Sequence, residues 1–545
     1  MTISGFDIRT SFIWKAAVAV ALVALGDLLF FQWELGGGNL GLYGLALLAG
    51  MIAARHGVRR DMRALLAILA ATLFAFAMIY DASLLAWTLF WVAAGMAALL
   101  PASGRFDDGW RWFQRLLIHG LRTPFAPLID MVRVLRSRSA RPGIRFSLRA
   151  SLPIIALPLI GSAIIIALFS AANPVIEQFL TAVSLPELSF KTIIRMMLWA
   201  LLFVMAWSLI HPRLARRILP TFDGSDDLYM PGVSVASVRL SLILFNLLFA
   251  MQNLMDAGYL SGRVPMPEGI TLAEYAHRGA YPLIVTALLA SLFVIVTLRP
   301  GSATATVPAI RKLVLLWIAQ NIVLVGSSIL RTLDYVEAYS LTVLRISALA
   351  WMALVVVGLL LICWRLFAEK SASWLINTNL AAAALLLTTA SFVDLSTIAA
   401  WWNVRHAREV GGTGAALDLC YLNSLGSSSL LPLIALEQHT DLKPAFREKV
   451  QFVRADILWN LRHQMESDWT MLGERRLKQA ELLIPPLRQI KLERATRNCD
   501  GSIVPPPPVI EVPSAAKPVV PPQGEPTASK PTSTPSTALT AETRK

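Results

Sequence analysis

Charge is what this chain has least of. Asp, Glu, Lys and Arg make up 15% of its 545 residues, where soluble domains carry about 25%. The length would allow several soluble domains, but this composition excludes a chain built only of them. Cysteine is scarce too. Cys363, Cys420 and Cys499 are too few for a disulfide framework. Cys363 falls at the end of an apolar run. Cys420 and Cys499 fall on one side of the membrane in the topology below, where a single disulfide stays open and free thiols are the expectation. No Walker loop, dinucleotide fingerprint, zinc-protease helix or Cys-pair motif occurs, so no cofactor is expected. Acidic residues are fewer than basic ones, and the net charge is +14. No nucleic-acid reading module accompanies that excess. It is read as the cytoplasmic bias of membrane proteins, with no nucleic-acid partner.

What is abundant is apolar sequence, at 56% of residues. Apolar runs lie at 11–31, 40–54, 64–80, 82–100, 151–170, 191–210, 237–258, 281–298, 313–330, 343–366 and 375–393. A bilayer crossing takes about 17–25 residues, so the reading is all-α: a polytopic helical membrane protein with about eleven transmembrane helices. The second run is short and begins beside Gly36-Gly37-Gly38. The first run continues through Asp27 without a small-residue cleavage site, so it is taken as a helix rather than a signal peptide. Arg55, Arg59, Arg60 and Arg63 mark one connection, and His211, Arg213, Arg216 and Arg217 another. Arg299, Arg311 and Lys312 mark a third, and Arg365 and Lys370 a fourth. These are alternate loops, which predicts a cytoplasmic N-terminus and a periplasmic C-terminus.

Five regions follow: a membrane region at 1–100, a basic cytoplasmic loop at 101–150, a membrane core at 151–398, an external helical region at 399–496, and a disordered Pro-rich tail at 497–545. In the loop, Trp110, Phe113, Leu117 and Leu121 recur at helical spacing among many arginines. They predict amphipathic helices lying on anionic lipid at the cytoplasmic face; a plain basic loop is the alternative. In the external region, Val450, Val453, Ile457 and Leu461 mark one face of a helix. The tail is Pro, Ser, Thr and Ala, a composition that cannot bury a core.

Polar residues inside apolar runs are costly unless paired, so they draw attention. Asn246 and Asn253 share a face that Asp256 extends outward. Gln320, Ser327, Arg331 and Asp334 form a comparable stripe, and Thr388, Ser391 and Asp394 a third. Helix–helix hydrogen bonding is the expectation for Asn246 and Gln320. At the outer rim, Asp256, Asp334 and Asp394 stand near helix C-termini, where the dipole disfavours an acid and a cation should compensate. The stretch Arg331–Arg345 is read as a charged hairpin between two membrane helices. Asp256, Glu274, His277, Arg278, Arg331, Asp334, Glu337 and Arg345 are thus the candidate rim cluster, with Arg331 and Asp334 paired three residues apart. Glu274 and His277 have the Glu-x-x-His spacing of di-metal sites, but such a site needs two of these motifs and further glutamates. No metal is expected.

The segments Tyr275-Ala276-His277-Arg278-Gly279-Ala280-Tyr281-Pro282-Leu283 and Arg331-Thr332-Leu333-Asp334-Tyr335-Val336-Glu337-Ala338-Tyr339 carry a resemblance. So do Leu344-Arg345-Ile346, Trp351, Trp402-Asn403-Val404-Arg405-His406-Ala407-Arg408 and Leu417-Asp418-Leu419-Cys420-Tyr421-Leu422. Over residues 150–435 the chain resembles bacterial multipass membrane proteins of the domain-of-unknown-function 4173 (4153-like) family. The resemblance implies a bacterial cytoplasmic membrane and no reaction.

Three functions fit. An envelope scaffold or sensor would meet a periplasmic protein through the C-terminal region. A transporter would use the polar stripes as a path for a small or lipid-linked solute. A membrane enzyme would act at the rim and needs an oriented acid–base pair. The scaffold or sensor is preferred, because polarity gathers at one surface and the tail finds a role.

Overall fold

A computed structural model describes residues 4–32, 36–103, 106–130, 189–215, 218–219, 234–263, 307–484 and 497–504, with a few single positions elsewhere. Every regular element among them is helical. The chain divides into two compact units, Met1–Ser502 and Ile503–Lys545, and all elements below belong to the first.

The N-terminal helices are α1 (Ser4–Asp27), which ends in a π-helical turn (Leu28–Gln32), α2 (Asn39–Ala54), the short α3 (His56–Arg60), α4 (Met62–Tyr80), α5 (Leu84–Ser103) and α6 (Gly109–Arg122). Then come α7 (Phe190–Ile210), α8 (Val235–Leu260), α9 (Pro308–Tyr339), α10 (Val343–Phe367) and α11 (Ala372–Phe392). The C-terminal region holds α12 (Leu395–His406), α13 (Leu419–Ser424), α14 (Leu430–Glu437), α15 (Pro444–Ser467) and α16 (Met471–Leu483). Among the described residues eight helices are long and apolar enough to cross a membrane: α1 with its π turn, α4, α5, and α7 to α11. The 16-residue α2 is shorter. Nine of the eleven apolar runs are therefore helical; those at 151–170 and 281–298 lie outside the described residues but for isolated positions.

Side-chain caps start many of these helices. Asp61, Asp108, Thr342, Ser371, Asp394, Asp418 and Thr470 each accept from a backbone N–H in the first turn, which satisfies one of the orphan donors there. Ser234 and Ser237 cap α8 reciprocally. Three cores result. Tyr43, Met51, Met78, Phe90 and Trp207 are buried among α1, α2, α4, α5 and α7, with Ala71, Ala75, Ala94 and Ala97 allowing close approach. Leu242, Val314, Trp317 and Leu359 knit α8, α9 and α10. Leu422, Leu433, Leu436, Val450, Val453, Ile457 and Leu461 form the core of the C-terminal region, so the predicted apolar face of α15 is buried.

One expectation is corrected. Residues 331–339 are not part of a hairpin loop, because α9 runs on to Tyr339 and only residues 340–342 turn. At about 1.5 Å per residue this 32-residue helix is about 48 Å long, against an apolar bilayer core of about 30 Å. Its last turns continue the helix because Arg331, Leu333, Glu337 and Ala338 are good helix formers. Ser340 stops it with a positive φ of 72°.

A second correction concerns cysteine. Cys420 and Cys499 form a disulfide across 79 residues, where free thiols were expected. The thiols meet because Lys449–Asp500 and Arg497–Glu448 ion pairs hold residues 497–502 against α15, a contact that spacing could not reveal. Cys363 is free.

Candidate functional site

The first two polar stripes face each other across α8 and α9. Asn246 Nδ2 donates to the Leu313 carbonyl at 3.0 Å, and Gln320 Nε2 donates to Asn246 Oδ1 at 2.9 Å. Asn253 Nδ2 donates to the Gln320 carbonyl at 3.1 Å. These three residues are helix–helix bonds, as expected for Asn246 and Gln320. One turn further, Asp256 and Arg331 form a buried ion pair. Asp256 also accepts from Ser327 Oγ at 2.9 Å and from Gln252 Nε2 at 3.1 Å. Arg331 therefore reaches across to the neighbouring helix, not along its own to Asp334, whose side chain is exposed.

The remaining rim residues separate. Glu337 is exposed on α9. Arg345 donates to the Tyr339 carbonyl at 2.8 Å and to the Ser340 carbonyl, and lies 3.9 Å over the Tyr335 ring. It is a cation on the last carbonyls of α9, where the helix dipole is negative. Glu274, His277 and Arg278 lie outside the described residues. The structure thus brings Asp256 and Arg331 together and sets Asp334, Glu337 and Arg345 apart from them.

Asp394 goes elsewhere. It was expected near a helix C-terminus, but it caps the N-terminus of α12, because the chain turns at Val393. It accepts from Thr397 N at 2.9 Å, Thr397 Oγ1 at 2.6 Å, and Arg476 of α16. Arg476 also donates to Ser427 Oγ at 3.0 Å. Burial pushes the Asp394 carboxyl up, but the bonds from Thr397 and Arg476 outweigh it and hold its pKa below the ordinary value. Asp81, in the turn between α4 and α5, is raised by desolvation and by the nearby Asp394 carboxylate.

Three further contacts tie the C-terminal region to the helices. Asn403 of α12 forms a two-bond clamp on the α9–α10 turn: Leu341 N–H donates to its Oδ1 at 2.7 Å, and its Nδ2 donates to the Leu341 carbonyl at 2.9 Å. Val343 N–H donates to the Tyr421 hydroxyl at 2.9 Å, one residue from the disulfide. The Gly36–Gly38 loop pairs with the α15–α16 turn, Gly36 N to Ser467 O and Gly38 N to Trp469 O, both at 2.6 Å. A Cβ at Gly37, whose φ is +56°, would lie 2.5 Å from the Trp469 carbonyl. The glycines let two backbones touch.

Other polar centres escaped the sequence reading. Asp27 of α1 accepts from Arg195 at 2.8 and 2.6 Å and from Trp199 at 2.8 Å. A lone acid inside an apolar run was the available signal. Asp130 accepts from Trp207 at 3.0 Å and from Arg213, with His211 Nδ1 at 3.0 Å. Arg454 and Glu437 pair at 2.7 Å in the C-terminal core. Charges on soluble helices are common, so nothing marked that pair in advance. Among the described residues no group of three or more His, Cys, Asp or Glu could hold a metal ion.

The model of a family described as Domain of unknown function (DUF4153) matches residues 64–436, well over half of the chain. The chain belongs to the DUF4153 family. The resemblance drawn from its motifs pointed to this family under a neighbouring number, and the match begins at residue 64 rather than near 150. The DUF4153 region contains the α9–α10 turn, Asn403 and Tyr421, so the motif stretches 402–408 and 417–422 both reach the turn that joins 331–339 to 344–346. No curated protein and no solved structure matches the chain.

Proposed function

We propose that this DUF4153 protein is a scaffold or sensor of the bacterial cell envelope. It sits in the cytoplasmic membrane with its N-terminus inside and its C-terminal region in the periplasm, and it meets protein partners there. The observation that carries this reading is the clamping of the C-terminal region onto helix ends. Asn403, Tyr421, Arg476 and the Gly36–Gly38 loop all hold it at one end of the helices. A region gripped at several points reports strain or binding on one side to the other. The disulfide favours an oxidising compartment for this region. The arginines at the opposite ends of the helices favour the cytoplasm there. Transport is less favoured, because Asn246, Asn253 and Gln320 each donate an amide N–H across the α8–α9 contact and hold the two helices together.

Photo-crosslinking from the exposed Leu482 in living cells tests the reading. A discrete protein adduct, together with an envelope phenotype on deleting residues 399–496, is expected. Adducts to lipid alone, with a normal envelope after the deletion, would refute it.

A further inference from the structure

Beyond the protruding end of α9 lies a cavity of about 300 Å³. Its walls come from α9, α12 and residues 413–415. Leu333, Val336 and Trp402 supply an apolar side, while Glu337 and His406 supply polar groups. We propose that this cavity is an ammonium-binding site for an amphiphile at the membrane boundary, and that its ligand is the amine headgroup of an ethanolamine phospholipid.

The chemistry follows from which groups are already engaged. Asn403, on the same wall, is committed to the Leu341 backbone through both ends of its amide. The Ser340 carbonyl receives Arg345. The Glu337 carboxylate has no hydrogen bond or ion pair within the described protein. His406 Nδ1 lies 2.9 Å from the Trp402 carbonyl. A carbonyl only accepts, so Nδ1 carries a proton and donates it there. The imidazole stacks on Trp402 with ring centres 4.0 Å apart. The Glu337 carboxylate suits a cation, and the two guanidinium groups that flank the lining are already held there, Arg345 on the Ser340 carbonyl and Arg408 on the Gly414 carbonyl.

Position selects the kind of cation. The apolar stretch of α9 ends near residue 330, and Leu333 to Ser340 follow. At about 1.5 Å per residue the cavity begins roughly 5 Å past the hydrocarbon at Leu333 and reaches about 15 Å at Ser340, so its apolar wall starts in the headgroup layer, about 5–8 Å deep on each side, and Glu337 stands just beyond it. An apolar wall beside a carboxylate there matches a headgroup whose acyl chains remain in the bilayer. The site is also built rather than accidental. Cβ atoms at Gly412 and Gly414 would fall 2.4 and 2.5 Å from the His406 carbonyl. Only glycine lets that loop close over the backbone of the histidine. The site does not depend on the scaffold role: a lipid site survives if no protein partner exists.

The test uses the full-length protein in detergent, titrated with ethanolamine phospholipid, with phosphatidylglycerol, and with free ethanolamine, and read by native mass spectrometry. The expected result is that ethanolamine phospholipid binds about five-fold or more tightly than phosphatidylglycerol and that Glu337→Gln abolishes the difference. Competition by free ethanolamine at millimolar concentration would support the amine as the recognised group. Its failure to compete, with the lipid preference intact, would assign the needed affinity to the acyl chains as well. Leu333→Trp fills the cavity but leaves the carboxylate, so it must lose the same preference, which covers the case in which Glu337→Gln is poorly folded. Equal binding of the two lipids, or a preference kept by either variant, overturns the proposal.

Discussion

At the scale of single residues, the decisive fact is which partner each buried charge finds. Arg331 has an acid three residues along its own helix, yet it pairs with Asp256 on α8. Both members are buried, so removing one takes a charge partner from the other where water cannot replace it. Asp256→Asn should lower unfolding stability by about 3–5 kcal/mol, measured as a lower melting temperature in detergent. Exchanging the pair, Asp256→Arg with Arg331→Asp, should recover part of that loss. Arg331→Asp with Asp334→Arg should not, and recovery there would contradict the cross-helix pairing. The Asp394–Arg476 pair makes a pH prediction. The folded pKa of Asp394 is depressed, so its stabilisation is present above the ordinary carboxylate range and disappears as pH falls through the folded value. Asp81 has the opposite sign. Its raised pKa means that the charged form weakens the folded state at neutral pH and that protonation relieves it. At pH 7, Asp394→Asn should cost about 2–4 kcal/mol and flatten the acid limb of the stability profile, while Asp81→Asn should raise the melting point slightly. The measurement is a melting-temperature series from pH 3 to 8.

At the scale of elements, glycine and one amphipathic helix decide how the membrane part meets its surroundings. Gly37→Ala forces a Cβ into a left-handed residue against the Trp469 carbonyl. It should cost about 1–3 kcal/mol and expose the α15–α16 turn to protease, while a substitution at the unobstructed Gly326 should leave that turn protected. Helix α6 buries Trp112 and Arg115 and leaves Trp110, Phe113, Leu117 and Leu121 exposed. Arg115 pairs with Asp107 at 2.8 Å, and Gly109 N–H donates to Asn377 Oδ1 at 2.7 Å. One face of α6 is thus fastened to the protein, and the other is an apolar strip beside arginines. A peptide of residues 101–150 is expected to gain helicity on anionic vesicles and to lose binding in high salt. Equal binding to neutral vesicles, read by circular dichroism, would refute the electrostatic part.

At the scale of the whole molecule, orientation is the property on which the functional proposal turns. Alkaline phosphatase fused after Leu436 should be active, and the same enzyme fused after Ser137 inactive. The reverse pattern would place the C-terminal region and its disulfide in the cytoplasm and would remove the envelope partner from consideration.

Much of this was legible before any coordinates. Apolar run length is local, and the bilayer converts it directly into helices, so nine runs appear where the sequence puts them. The spacing of Val450, Val453, Ile457 and Leu461 likewise marks a buried face. The polar stripes of α8 and α9 were visible as stripes, and the cost of a lone amide in hydrocarbon made their pairing an expectation. What the sequence could not supply is which distant residue answers each polar group. Arg331 chose Asp256 over a nearer acid, Asp394 found Arg476 more than eighty residues away, and Asn403 found the backbone of Leu341. Cys420 found Cys499 on the same terms. Helical periodicity places a side chain on a face, but only packing of whole helices decides what that face meets, and every pairing that shapes the candidate sites belongs to that second kind.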